Sequence, residues 1–148
     1  MQSDSYDVIV VGGSYAGLSA ALALGRARKR VLIIDSGQRR NRFAHSAHNL
    51  IGQDGRTPEA IVRDARADVS AYPTASFIDG VVVAAAPNDT GFTVTLEGGS
   101  TEHAARLILA TGVEDDLPNL PGLRDAWGNW VFHCPYCHGY EVAGQRLG

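Results

Sequence analysis

Asp7-Val8-Ile9-Val10-Val11-Gly12-Gly13-Ser14-Tyr15-Ala16-Gly17, continuing through an alanine-leucine run to Val31-Leu32-Ile33-Ile34-Asp35, decides the fold. Val8 to Val11 is a continuous β-branched run, the composition of a strand buried on both faces of a parallel sheet. Leu18 to Ala27 has helical composition, and Val31 to Ile34 is a second buried run closed by an acid. Strand, glycine-rich turn, helix and strand in that order make a βαβ unit.

Each position in the unit has a physical job. Gly12 permits the tight turn out of the strand, and Gly17 lets the helix lie close to the sheet. Free N–H groups and the positive dipole end at the helix start suit a pyrophosphate. Asp35, eighteen residues after Gly17, stands where a carboxylate can accept hydrogen bonds from an adenosine ribose. Ser14 replaces the second glycine of G-x-G-x-x-G; it is small, and its hydroxyl can donate to phosphate. A bare structural glycine turn is the alternative, and the ordered context favours dinucleotide binding.

The 148 residues suit about one domain, with 45% hydrophobic and 20% charged residues as in an ordinary globular chain. A net charge of −3 marks no nucleic-acid or anionic-membrane partner. Apolar runs are strand-sized, well short of the ~20 residues of a membrane span. The polar start Met1-Gln2-Ser3-Asp4-Ser5 lacks a signal-peptide pattern, so the expectation is a cytoplasmic protein.

Downstream, Ser36 to Asn49 is polar and basic, read as a surface loop in reach of a nucleotide, with His45 and His48 solvated. Thr57 caps a helix with Pro58 at its first position, and Ile61, Val62, Ala65 and Val69 form its apolar face. Strands are expected at Phe77–Ala85, Phe92–Leu96 and Ala104–Ala110, separated by Pro87-Asn88-Asp89-Thr90-Gly91 and Gly98-Gly99. Gly112 to Trp130 reads as a linker, around which Trp127, Trp130, Phe132 and Tyr140 pack.

His133-Cys134-Pro135-Tyr136-Cys137-His138 holds both cysteines of the chain. Two thiols at this spacing can close a small disulfide, and a neighbouring histidine can move a proton. Three other readings use the same residues. C-x-x-C-H is the attachment sequence of c-type haem. His133, Cys134, Cys137 and His138 are zinc-competent, although sequence neighbours seldom converge on one tetrahedral ion. Cys-Pro-Tyr-Cys is also a glutaredoxin-type site, but that fold needs a sheet after the motif, and eleven residues follow Cys137.

Together these motifs resemble the N-terminal half of the low-molecular-weight thioredoxin reductase family of FAD-dependent pyridine nucleotide-disulfide oxidoreductases. The chain looks most like the branch that includes dithiol oxidases of disulfide metabolites. The resemblance implies a Rossmann-like, three-layer α/β FAD-binding fold with a small antiparallel excursion. It implies FAD held by Gly12, Gly13, Ser14, Tyr15, Ala16, Gly17, Asp35 and Ser36, with Asn41, Arg42, Asn49, Val82, Ala110, Thr111 and Gly112.

It further implies Cys137 against the flavin, Cys134 exchanging with substrate, and His138 where many members carry an aspartate acid-base group. The expected substrate is a small disulfide or dithiol, or a thioredoxin-like protein. A homodimer is expected, with no metal and no membrane or nucleic-acid partner. Residues 1–112 would be the FAD-binding portion, and 113–148 the linker, redox motif and lead-in to an NAD(P)-binding domain. NADPH is expected only with that second domain, and because Gly144 to Gly148 reads as its lead-in, the reading frame is expected to continue or a separate chain to supply it. A flavin-binding module without catalysis of its own is the alternative.

Overall fold

A computed structural model describes residues 5–148. It forms two compact units: the chain up to Arg39 with Val62–Gly112, and Arg40–Ile61 with Val113–Gly148.

The first unit is built on a six-stranded mixed sheet. Its strands are β1 (Tyr6–Val11), β2 (Val31–Asp35), β3 (Ala75–Asp79), β4 (Val82–Asn88), β5 (Gly91–Leu96) and β6 (Thr101–Leu109), in the order β3-β2-β1-β6-β5-β4. The first four in that order pair in parallel, and β5 and β4 continue antiparallel. Helix α1 (Tyr15–Arg26) connects β1 to β2, and α2 (Pro58–Ser70) precedes β3.

The expected βαβ unit is therefore present. Its helix begins at Tyr15 rather than Leu18, because the last residues of the glycine loop are already its first turn. Thr57 caps α2 as expected: its Oγ1 accepts the Ala60 N–H at 3.2 Å, and Pro58 fills the first position.

β1 and β2 bury side chains on both faces, as their unbroken apolar composition requires. On one face Val8, Val10, Val31 and Ile33 meet Leu18 and Ala21 of α1 and Val69 of α2. On the other, Ile9, Val11, Leu32 and Ile34 meet Val94 and Leu96 of β5 and Ala104 of β6. The long strand β6 pairs with β1 through Ala104–Leu109 and with β5 through Thr101–Ala104, so the antiparallel part curls over the parallel part. Helices, parallel sheet and antiparallel ribbon make three layers. Each fully buried aliphatic side chain contributes about 1.5–3 kcal/mol.

Three boundaries differ from the sequence reading. Phe77–Ala85 is two strands, because the Gly80 N–H closes onto the Asp35 carbonyl and ends the parallel ladder. Pro87 and Asn88 finish β4 instead of lying in the turn; β4 is an edge strand, which tolerates proline. Asp89-Thr90 alone form the hairpin loop, with Asn88 Oδ1 accepting the Thr90 N–H at 2.9 Å. β6 starts at Thr101 and stops at Leu109.

In the second unit, a 3-10 turn spans Arg40–Phe43, and an antiparallel bridge between Ala47 and Arg56 closes the next loop. The segment read as a linker contains a helical turn, α3 (Leu123–Ala126), and a bridge between Trp127 and Val131. One further helical turn, α4 (Pro135–His138), carries the redox motif. Among the described residues no helix is long and apolar enough to cross a membrane.

Candidate functional sites in the two units

In the first unit the carboxyl ends of β1 and β6 meet the start of α1. The order β3-β2-β1-β6 reverses chain direction at β1, and ligands of open α/β sheets bind at such a switch point. Gly12 has φ +103°, and a Cβ there would lie 2.2 Å from the Ala110 carbonyl oxygen. A Cβ on Gly17 would lie 1.7 Å from the Gly12 oxygen. These glycines let turn, helix and strand touch, and Ala110 is thereby brought against the turn.

The Gly13 N–H donates to Asp35 Oδ1 at 3.0 Å, so the acid at the end of β2 is fixed beside the loop. Ser14 occupies the cap position of α1 without a side-chain bond to the helix, and no acid lies in the first turn. Ala16 is exposed and Tyr15 half-buried at this positive end. A loop with no internal anion, a serine hydroxyl uncommitted to its own helix and a carboxylate at the next strand end fit a dinucleotide's pyrophosphate and ribose. Ser36, Thr111 and Gly112 are exposed beyond the strand ends, whereas Val82 packs partly buried against the second core face.

Asn41, Arg42 and Asn49 belong to the second unit. Arg42 lies over the Phe43 ring at 4.5 Å, and Asn49 takes a left-handed φ of 62° with its N–H on Asp54 Oδ1 at 2.9 Å.

Cys134 and Cys137 form a disulfide with Cα atoms 5.3 Å apart. Proline at the first helical position ends the extended approach and starts the turn, which makes Cys134 the cap residue. The Cys137 N–H donates to Cys134 Sγ at 3.2 Å. His138 stacks on Phe132, ring centres 5.1 Å apart, and its Nδ1 is buried without a hydrogen-bond partner. His133 stacks on Trp127 at 5.5 Å. A cavity of about 230 Å³ reaches both cysteines, with Phe43, Trp127 and Phe132 among its apolar walls.

The thiols are thus bonded to each other, the two histidines stack on different rings, and among the described residues no three or more His, Cys, Asp or Glu side chains are placed to hold a metal ion.

Trp127 and Phe132 pack as expected. Trp130 and Tyr140 do not; they are 86% and 88% exposed. His48 is also not solvated as expected. Its side chain is only 23% exposed and sits between Asp54 and Glu141.

The pairing of Arg40 with Asp115 was not anticipated either. Arg40 Nε donates to Asp115 Oδ2 at 2.9 Å, and a second guanidinium nitrogen reaches Oδ1. These hydrogen bonds hold the Asp115 carboxyl below its usual range. The available signal was complementary charge: a basic run at Arg39–Arg42 and an acidic one at Glu114–Asp116.

The model of the pyridine nucleotide-disulphide oxidoreductase family matches residues 6–146. The chain belongs to that family, and within it is thioredoxin-reductase-like.

It is 38% identical over 149 residues to thioredoxin reductase tcpT of Claviceps purpurea, covering 99% of this chain and 46% of that protein. It is 39% identical to thioredoxin reductase sirT of Leptosphaeria maculans, covering 95% of this chain and 44% of the relative. A crystal structure of an oxidoreductase from Agrobacterium tumefaciens matches at 55% identity with a TM-score of 0.89, over 94% of this chain and 47% of that one. The chain therefore spans about half the length of the relatives it matches.

Proposed function

We propose that this chain is the flavin-holding and thiol-bearing part of an FAD-dependent oxidoreductase acting on a small disulfide or dithiol. The observation that carries the proposal is the Cys134–Cys137 disulfide at the start of a helical turn, beside an apolar cavity and a histidine with an uncommitted nitrogen.

The glycine loop Gly12–Gly17 and the start of α1 would hold the pyrophosphate, and Asp35 the ribose, with Ser36, Ala110, Thr111 and Gly112 around them. Asn41, Arg42 and Asn49 are assigned to the same cofactor by the family resemblance. FAD, when bound, exchanges an electron pair with the thiol pair.

In the oxidase direction, a substrate thiolate attacks Cys134 Sγ; the bond to Cys137 breaks, and Cys137 leaves as a thiolate that takes a proton from His138. The second substrate thiol gives its proton to the now neutral His138 and attacks the substrate sulfur of the mixed disulfide. Cys134 leaves as a thiolate, to whose sulfur the Cys137 N–H donates. The substrate has then lost two electrons and two protons, and the pair has gained two electrons. Disulfide reduction runs the same steps backwards, with NADPH as the electron source.

Two features favour a small molecule over a protein disulfide. The cavity beside the pair suits a compact apolar compound, and His138 replaces the acid carried by many thioredoxin-reducing members. The relatives named thioredoxin reductase supply the competing substrate.

The test is anaerobic titration of the FAD-loaded protein with dithiothreitol, and separately with a reduced thioredoxin. Bleaching of the flavin by the small dithiol at two electrons per flavin is expected. Failure to take up FAD, or bleaching by thioredoxin alone, would overturn the proposal.

A further inference from the structure

His48 lies in a loop whose two ends are tied together. The Ala47 N–H donates to the Arg56 carbonyl at 2.8 Å, and the Gly55 N–H to the Ala47 carbonyl at 2.9 Å. Inside that loop Asp54 is fixed by the Asn49 N–H. His48 Nδ1 is 3.5 Å from Asp54 Oδ1, and its Nε2 is 3.4 Å from Glu141 Oε1. Glu141 stands three residues after His138, in the turn that follows α4. One imidazole therefore joins a closed loop to the segment leaving the redox helix.

Both ring nitrogens face carboxylates, and only the imidazolium carries a proton on each. A neutral ring can satisfy one carboxylate and must turn a lone pair toward the other. His48 also borders both the cavity that reaches the cysteines and an open cleft, as does His138. Glu141, which His48 contacts, lines that cleft beside His138, the residue next to Cys137.

We propose that His48 is a positioning residue for the Cys134–Cys137 pair: as an imidazolium it clamps Glu141 to Asp54 and fixes the backbone behind α4. This rests on the redox reading of the pair. Loss of its proton releases one carboxylate and loosens the turn, so thiol exchange slows at higher pH. Other charges face it across the cleft and the cavity. Asp125 supports the cation, and His45 and His138 oppose it when protonated; Arg40 and Asp115 neutralise each other, beside His133.

The experiment measures exchange of the purified protein with dithiothreitol, read by rapid alkylation and mass spectrometry, which needs no flavin signal. The rate of each variant is divided by that of wild type at the same pH, which cancels ionisation of the reagent.

Glu141→Gln and His48→Gln are expected to be about two- to fivefold slower at about pH 5.5, the factor of a half-exposed ion pair, and to converge on wild type near pH 8.5. His48→Lys keeps its charge, so its ratio should rise above one at the higher pH. The isosteric Glu141→Gln carries the test if a His48 variant misfolds. A ratio of one at every pH, or a deficit independent of pH, overturns the inference while leaving the redox reading intact. A wild-type pair inert to dithiothreitol overturns both.

Discussion

The Asp35 carboxylate accepts the Gly13 N–H at 3.0 Å, so the acid that ends β2 is locked to the glycine turn before any ligand arrives. A Cβ on Gly13 would lie 2.8 Å from that of Asp35, so a glycine is what lets the turn approach the acid this closely. Such preorganisation lowers the ordering cost of binding. Asp35→Asn keeps an acceptor and loses the charge, whereas Asp35→Ala loses both. The expected order of FAD affinity is wild type, then Asn, then Ala, with the alanine variant weaker by about tenfold or more. Fluorescence titration with FAD checks the order.

Two glycines of the same unit should respond very differently to alanine. Gly17→Ala would place a methyl 1.7 Å from a backbone oxygen, with no flexible side chain to yield, and should cost about 3 kcal/mol or more. Gly112 has φ +67° and open space around its Cβ position, so Gly112→Ala should cost only about 1–2 kcal/mol of backbone strain. Urea denaturation of both variants provides the comparison, and equal losses would contradict the packing role given to Gly17.

The two cysteines should separate in function. In the FAD-loaded protein, Cys137→Ser should abolish electron transfer between the remaining thiol and flavin. Cys134→Ser should leave a Cys137 thiolate able to perturb the flavin spectrum at long wavelength. A long-wavelength band in the first variant and none in the second would reverse the roles.

Asp115 gives a pH signature. Its carboxyl is held below the usual range by the Arg40 hydrogen bonds, so the pair's stabilisation is complete above the unfolded carboxylate pKa of about 3.9 and disappears as pH falls through the lower folded value. Asp115→Asn should therefore melt slightly below wild type near neutrality, and the two curves should merge in strong acid. Melting curves across that range test the sign. A difference that grows with acidification would mean that the carboxyl is not stabilised as the anion.

The order of chemistry was written in the chain. Val8–Val11, the glycine turn, Val31–Asp35 and the capped helix at Thr57-Pro58 are local signals, since periodicity, turn chemistry and capping act over a few residues. The pairing of Gly13 with Asp35 lies within that same unit, although the sequence alone pointed Asp35 only toward a ribose.

What the tertiary structure decided was everything that depends on long-range pairing. The break at Gly80, the curling of β5 over Ile9 and Leu32, and the parallel ladder of β3 rest on contacts between strands far apart in sequence. The same holds for Arg40 with Asp115, separated by 75 residues, and for His48 with Glu141. A polar side chain in a loop reads as solvated until a partner from elsewhere arrives. The sequence determined which groups can do redox and nucleotide chemistry, and folding alone determined which histidine stands between two carboxylates, because that choice is made by chain closure and not by local propensity.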